Sequence, residues 1–144
     1  MAKTKVGLDL LSNNVEWQKS IHGNIAYLCH SASLDSEYNF GPDRLIELFG
    51  DRVVKFFGPQ HGFVSDVQDN MIETRDFVHP HYKRQIISLY SNNRKPTPES
   101  LEGIDTMIID LQDVGSRVYT YIHTMTLMME ACAEKNIAVV ILDR

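Results

Sequence analysis

Along this chain the apolar residues fall into short, nearly continuous runs: Asn24 to Leu28, Val53 to Phe57, Ile86 to Tyr90, Met107 to Ile109, and Ala138 to Leu142. Runs of this length without strict alternation predict strands covered on both faces by helices. Between them the period changes. Pro42 suits a first helical position, Leu45, Leu48 and Phe49 give an apolar stripe, and Gly50 suits the position that ends a helix. Thr97 as N-cap and Pro98 as first helical residue predict a brief helix through Leu101. From Val118 onward, Ile122, Met125, Met129, Cys132 and Ala133 recur at helical spacing, which predicts a helix with Met125, Met128 and Met129 as core packing. Strand, helix, strand in this order implies a right-handed crossover and hence an α/β fold with a mostly parallel sheet. The stretch Val64 to Gln85 is polar, irregular and longer than a usual connection, the kind of loop that often carries function.

Two polar phrases begin where apolar runs stop: FGPQHGF at Phe57 to Phe63 and DLQDVGSRVYTY at Asp110 to Tyr121. In an open α/β sheet, ligands bind beyond the carboxyl ends of the parallel strands. The two phrases therefore nominate one site. Gly58 and Gly62 flank Pro59, Gln60 and His61, so the backbone can turn tightly and approach a ligand.

Composition narrows the function classes. The 144 residues, 43% hydrophobic and 23% charged, suit one soluble globular domain. A net charge of −5 argues against nucleic acid or an anionic membrane as partner. Two cysteines, Cys29 and Cys132, supply neither a disulfide framework nor a CxxC metal site, and both are expected as buried thiols. His79 and His81 flank Pro80 without a third ligand of recognisable spacing, so no metal or cofactor is expected. No run is long enough to span a membrane and no signal peptide is visible, so a cytoplasmic location is expected unless a leader has been removed. The last run stops at Asp143 and Arg144, on the ligand rim, and the chain is expected to be cut short there.

FGPQHGF, QDNMIE at Gln68 to Glu73, SLYSNNRKPTPE at Ser88 to Glu99, IDLQDVGSRVYTYIHTM at Ile109 to Met125 and VILDR at Val140 to Arg144 resemble, in this order, the NamZ-type exo-β-N-acetylmuramidases. That family was long catalogued as a domain of unknown function. The resemblance covers nearly the whole chain. It implies a Rossmann-like, three-layer amino-terminal domain, a separate carboxyl-terminal domain that this chain lacks, and a cleft between the two. It also implies a bacterial glycoside hydrolase that removes N-acetylmuramic acid from the non-reducing end of peptidoglycan fragments. Where the family's GPEHG phrase carries a glutamate proposed as catalytic, this chain has Gln60. An amide exchanges no proton near neutral pH, so the usual carboxyl role in glycoside hydrolysis cannot be its own.

Three accounts of Gln60 stay open: it orients substrate while another carboxyl group transfers the proton, it marks altered chemistry, or it marks a binding protein without catalysis. Glu73, Asp110 and Asp113 are the candidate carboxyl groups, with His61 as a donor or orienting group. The plainer alternative for either aspartate is a helix cap, and for His61 a structural hydrogen bond. Tyr90, Tyr119 and Tyr121 could stack on a sugar ring or bond its hydroxyls, with a core-facing ring the alternative for Tyr121. Asp143 and Arg144 end a strand beside the other candidates, which suits a site role unless the pair is simply frayed. Asn70, Gln112 and Gln60 complete the substrate-binding candidates. Arg94 or Arg117 would clamp the lactyl carboxylate of a muramic acid, unless each simply forms a surface ion pair. Two further readings compete with hydrolysis. One is a non-catalytic sugar-binding or assembly module; the other is a nucleotide binder, which the absence of any GxGxxG or P-loop string disfavours. Apolar surface left open on a half-built cleft is expected to drive self-association.

Overall fold

The computed structural model describes residues 4–63, 75–90, 94–116 and 120–143. Its helices are α1 (Gly7–Ser12), α2 (Val15–Ser20), α3 (Gly41–Phe49) and α4 (Tyr121–Glu134), and its strands are β1 (Ile25–Cys29), β2 (Val53–Gly58), β3 (Phe77–Val78), β4 (Gln85–Ser88), β5 (Thr106–Asp110) and β6 (Ala138–Ile141). The strands form one sheet in the order β3-β4-β2-β1-β5-β6. Every pairing is parallel except that of β3 with β4. The chain builds outward from β1 to β2 and β4, then recrosses to lay down β5 and β6 on the other side. This is the doubly wound, Rossmann-like pattern, and the reversal beside β1 opens a crevice at the carboxyl ends of the strands.

Both faces of the sheet are buried, as the apolar runs predict. Ile25, Tyr27 and Cys29 of β1 join Leu8, Leu11, Leu45 and Phe49 in one core cluster. Ala26 and Leu28 point the other way and join Met107, Ile109, Met128 and Cys132. In β2 the alternation slips, because the pairing with β1 steps from Val53 directly to Lys55. This irregularity lets Val53 and Phe56 share one face, three residues apart. Cys29 and Cys132 are both buried free thiols. Burial, followed by the nearby charge of Asp110, raises the Cys29 pKa, and burial pushes Cys132 up to about 11. Both stay protonated and inert at neutral pH.

The ends of the elements follow their local chemistry. Asn14 accepts the Glu16 and Trp17 N–H groups at 3.1 Å and so caps α2. Gly50 closes α3 with φ +58°, a value open to a residue without Cβ. At the end of α4, the Ile137 N–H reaches the Cys132 carbonyl and the Asn136 N–H reaches Ala133, while Asn136 takes φ +56°. That is a Schellman arrangement with asparagine in the position glycine usually fills.

Three expectations are corrected. The irregular stretch before Gln85 contains a strand: Phe77 and Val78 pair antiparallel with Ile86 and Gln85. The brief helix at 97–101 is a series of turns. Thr97 Oγ1 does accept the Ser100 N–H at 3.3 Å, yet the bonds that follow run from Glu102 to Glu99 and from Ile104 to Leu101, and Gly103 turns the chain away at φ +74°. A single turn cannot offset the cost of helix nucleation, and here Lys55 Nζ satisfies the Ser100 carbonyl instead, at 2.8 Å. The buried stripe of α4 is also rotated from the one expected. Tyr121, Met128, Ala131 and Cys132 face inward, whereas Met129 is 40% exposed and Ile122 42% exposed. Adjacent apolar residues on this helix leave its phase open in the sequence, and packing decides it.

Candidate functional site

The loop after β2 is held by its glycines. A Cβ on Gly58 would lie 2.7 Å from the Phe63 nitrogen, so the strand end and the returning loop touch only because that carbon is missing. The Gly62 N–H closes the turn on the Pro59 carbonyl at 2.9 Å, with His61 at φ +71° and Gly62 at φ +79°. Histidine in this left-handed region is strained, a cost of about 1–2 kcal/mol. Strain of this kind gathers where a side chain must be aimed. Both Gln60 and His61 are half-buried.

This loop meets the start of α4. Thr120 Oγ1 donates to Gln60 Oε1 at 2.9 Å, and the Tyr121 hydroxyl reaches the Gln60 carbonyl at a longer 3.5 Å. The two phrases read in the sequence are thereby brought together, 60 residues apart along the chain. Beside the contact lies a cleft of about 280 Å³ lined by Gln60, Leu89, Tyr90, Arg94, Thr120, His123, Thr124 and Leu127. Arg94 stands over the Tyr90 ring, 5.9 Å from its centroid.

The aspartates at the tip of β5 differ in kind. Asp110 is completely buried, its Oδ2 accepting from the Tyr27 hydroxyl at 2.6 Å and its carbonyl from Ser33 Oγ at 2.6 Å. A carboxylate so enclosed holds strands together, and it is not among the residues that line the cleft. Asp113 is exposed on the loop beyond, where its Oδ1 accepts the Gly115 N–H at 3.3 Å in a local turn. Gln112 is exposed too, and its N–H points to His30 Nε2 at 3.4 Å. His30, at the tip of β1, packs its ring 5.0 Å from that of Tyr121, so it joins the loop after β1 to the loop after β5 and to the start of α4.

Of the residues nominated from sequence, Gln60, Tyr90 and Arg94 line one cleft, with His61 next in the chain to Gln60. Asp143 lies elsewhere, in a groove with Gly7, Leu11 and Trp17, where its carbonyl accepts the Gly7 N–H at 2.7 Å. Glu73, Asn70, Arg117, Tyr119 and Arg144 lie outside the described residues. Sequence reading missed Thr120, His123, Thr124 and His30. The first three, with Leu127, recur at i, i+3, i+4 and i+7, a half-polar stripe on an otherwise apolar helix. That break in the apolar pattern was the available signal.

Fold and cleft together define a Rossmann-like α/β domain whose ligand crevice lies at the carboxyl ends of its strands. Residues 25–144 match the family described as "Exo-beta-N-acetylmuramidase NamZ, N-terminal", and the chain belongs to that family. It is 34% identical over 143 residues to the peptidoglycan β-N-acetylmuramidase NamZ of Bacillus subtilis (strain 168), covering 99% of this chain and 34% of that protein. Two crystal structures of DUF1343 family proteins from Bacteroides fragilis NCTC 9343 are also similar. One matches with a TM-score of 0.82 at 32% identity over 97% of this chain, the other with 0.73 at 29% over 99%. This chain spans 34% and 35% of those two chains, about a third of their length.

Proposed function

We propose that this domain supplies one wall of the saccharide site of an exo-acting glycoside hydrolase that releases N-acetylmuramic acid from the non-reducing end of peptidoglycan fragments. The observation that carries the reading is the Gln60 to Thr120 contact, which joins both family phrases at the rim of one cleft. The name of the B. subtilis relative supports the substrate. Gln60, Tyr90 and Arg94 hold the sugar, and His61 orients it beside the strained turn.

Hydrolysis of this kind needs a carboxyl group to protonate the leaving oxygen and a second one to assist an oxocarbenium-like transition state. Gln60 has no proton to give, and Asp110 is enclosed. In this reading Asp113, exposed beyond the same strand, and Glu73 take the proton-transfer roles. The test is release of N-acetylmuramic acid from a chromogenic muramic acid glycoside by the protein at its natural length. Turnover that survives both Asp113→Asn and Glu73→Gln sinks this assignment.

Gln60 also favours a second reading, a sugar-binding module without catalysis. Binding of N-acetylmuramic acid with no turnover identifies it. Self-association is a separate proposal. Trp17 and Ile141 are 50% and 47% exposed beside an apolar groove of about 310 Å³ between the amino-terminal helices and β6. A concentration-dependent mass by light scattering, lost in Ile141→Lys, is expected; a monodisperse monomer at high concentration contradicts it.

A further inference from the structure

His30 is the first residue beyond β1, where the strand order reverses, and it is only 6% exposed. A buried imidazole needs hydrogen-bond partners, and the contacts of this one lead to both family phrases. Its Nε2 accepts the Gln112 N–H at 3.4 Å, one residue before Asp113. Its ring packs against Tyr121, the first residue of α4, with 5.0 Å between centroids and 59° between planes. Tyr121 in turn sends its hydroxyl toward the Gln60 carbonyl at 3.5 Å, and its neighbour Thr120 donates to the Gln60 side chain at 2.9 Å. The backbone that carries the imidazole is fixed as well. The His30 N–H donates to Ser33 Oγ at 3.1 Å and the Ser33 N–H returns to the His30 carbonyl at 3.0 Å. The same Ser33 Oγ, wholly buried, donates to the Asp110 carbonyl at 2.6 Å, where the loop bearing Asp113 begins. A ring nitrogen that accepts a hydrogen bond bears no proton, so this imidazole carries its proton on Nδ1.

From this we propose that His30 is a positioning residue, which through the Gln112 N–H sets where Asp113 stands relative to Gln60. It does so from behind the cleft, since it is buried and is not among the residues that line it. The turn in which Asp113 accepts the Gly115 N–H shapes the loop locally and cannot fix it against α4. The link from His30 can, because it joins segments 82 residues apart in the chain. Reacting groups must be held within about 0.5 Å of their working geometry, and a misplacement of about 1 Å can cost about a hundredfold in rate. The assignment rests on the saccharide reading for what Asp113 does; where His30 holds it follows from the contacts alone.

Two variants separate the contacts of the ring. His30→Phe keeps an aromatic face against Tyr121 and removes the acceptor; His30→Gln keeps an acceptor at nearly the reach of Nε2 and removes the ring. The test is kcat and KM on a chromogenic muramic acid glycoside for the protein at its natural length and for both variants, with nitrogen nuclear magnetic resonance of the His30 ring and the Gln112 and Asp113 amides. The expected result is a kcat lower by about ten- to a hundredfold in His30→Phe with KM little changed, and most of the loss recovered in His30→Gln. The Gln112 and Asp113 resonances move in His30→Phe, and in the natural protein the ring proton is found on Nδ1. A kcat unchanged in His30→Phe overturns the proposal. So does a loss equal in both variants, or one matched by the fall in folded fraction, since the histidine then merely packs. A proton found on Nε2 overturns it without any variant. No turnover by the natural protein rejects the hydrolase reading instead; displaced Gln112 and Asp113 resonances in His30→Phe then still support the positioning, and unmoved ones overturn it.

Discussion

The Tyr27 hydroxyl donates to Asp110 Oδ2 at 2.6 Å, a link between neighbouring strands at which both residues are wholly shielded from solvent. Gly41 makes room for it: a Cβ there would lie 2.2 Å from the tyrosine oxygen. Tyr27→Phe removes the donor and leaves a buried acceptor without it, so a loss of about 1.5–3 kcal/mol is expected in denaturant unfolding. A change below about 0.5 kcal/mol would show that water replaces the hydroxyl.

The same link separates stability from catalysis at the two aspartates. Asp113→Asn is expected to leave the unfolding midpoint nearly unchanged and to lower turnover of the natural-length protein by about 10²–10⁴-fold, the range for a lost proton-transfer group. Asp110→Asn is expected to shift the midpoint. The pair of measurements, unfolding and turnover, distinguishes them; the reverse pattern would exchange their roles.

At His61 the two properties should move in opposite directions. Glycine tolerates φ +71° freely, so His61→Gly relieves backbone strain while loosening the unfolded chain. A gain of about 0.5–1 kcal/mol in stability is expected, together with weaker sugar binding. Unchanged binding would mean that the turn holds this histidine for structural reasons.

Acid sensitivity traces to the joint between α1 and the loop after β1. Burial pushes the Asp9 pKa up, but N–H groups of Ser36 and Val6, at 3.0 Å each, outweigh it and hold the group below its ordinary 3.8. Asp35 behaves alike: burial opposes ionisation, and bonds from Asn39 and Glu37, then the Arg44 charge, prevail. A depressed folded pKa means stability that is present above the unfolded value near 4 and is lost as pH falls through the lower folded values. The melting temperature should therefore drop below about pH 4, and less steeply in Asp35→Asn. An unaltered slope in that variant would place the acid response elsewhere.

Much of this architecture was legible because a doubly covered parallel sheet writes itself as apolar runs, and because Pro42 and Gly50 punctuate α3. The pairing of Phe77 and Val78 was hidden, since two apolar residues amid polar neighbours are too few to show a run or an alternation. The phase of α4 was hidden by its apolar neighbours at 128 and 129. At the site, the loop geometry around Gln60 followed from its glycines, whereas Asp113 stood ahead of Asp110 in sequence only because Asp110 directly follows the apolar run. What divides them is Tyr27, 83 residues away and visible only once β1 and β5 lie side by side.

The central claim is that a muramic acid glycosidase operates with glutamine at position 60. Thr120 donates to the Gln60 side-chain oxygen, a bond that a glutamate in its place can also accept, so Gln60→Glu is a fair comparison at constant shape. The direct measurement is release of N-acetylmuramic acid from a chromogenic glycoside by the natural-length protein and by that variant. The account predicts turnover by the natural protein. No turnover until glutamate is restored would contradict it and make the protein one that binds the sugar without cleaving it.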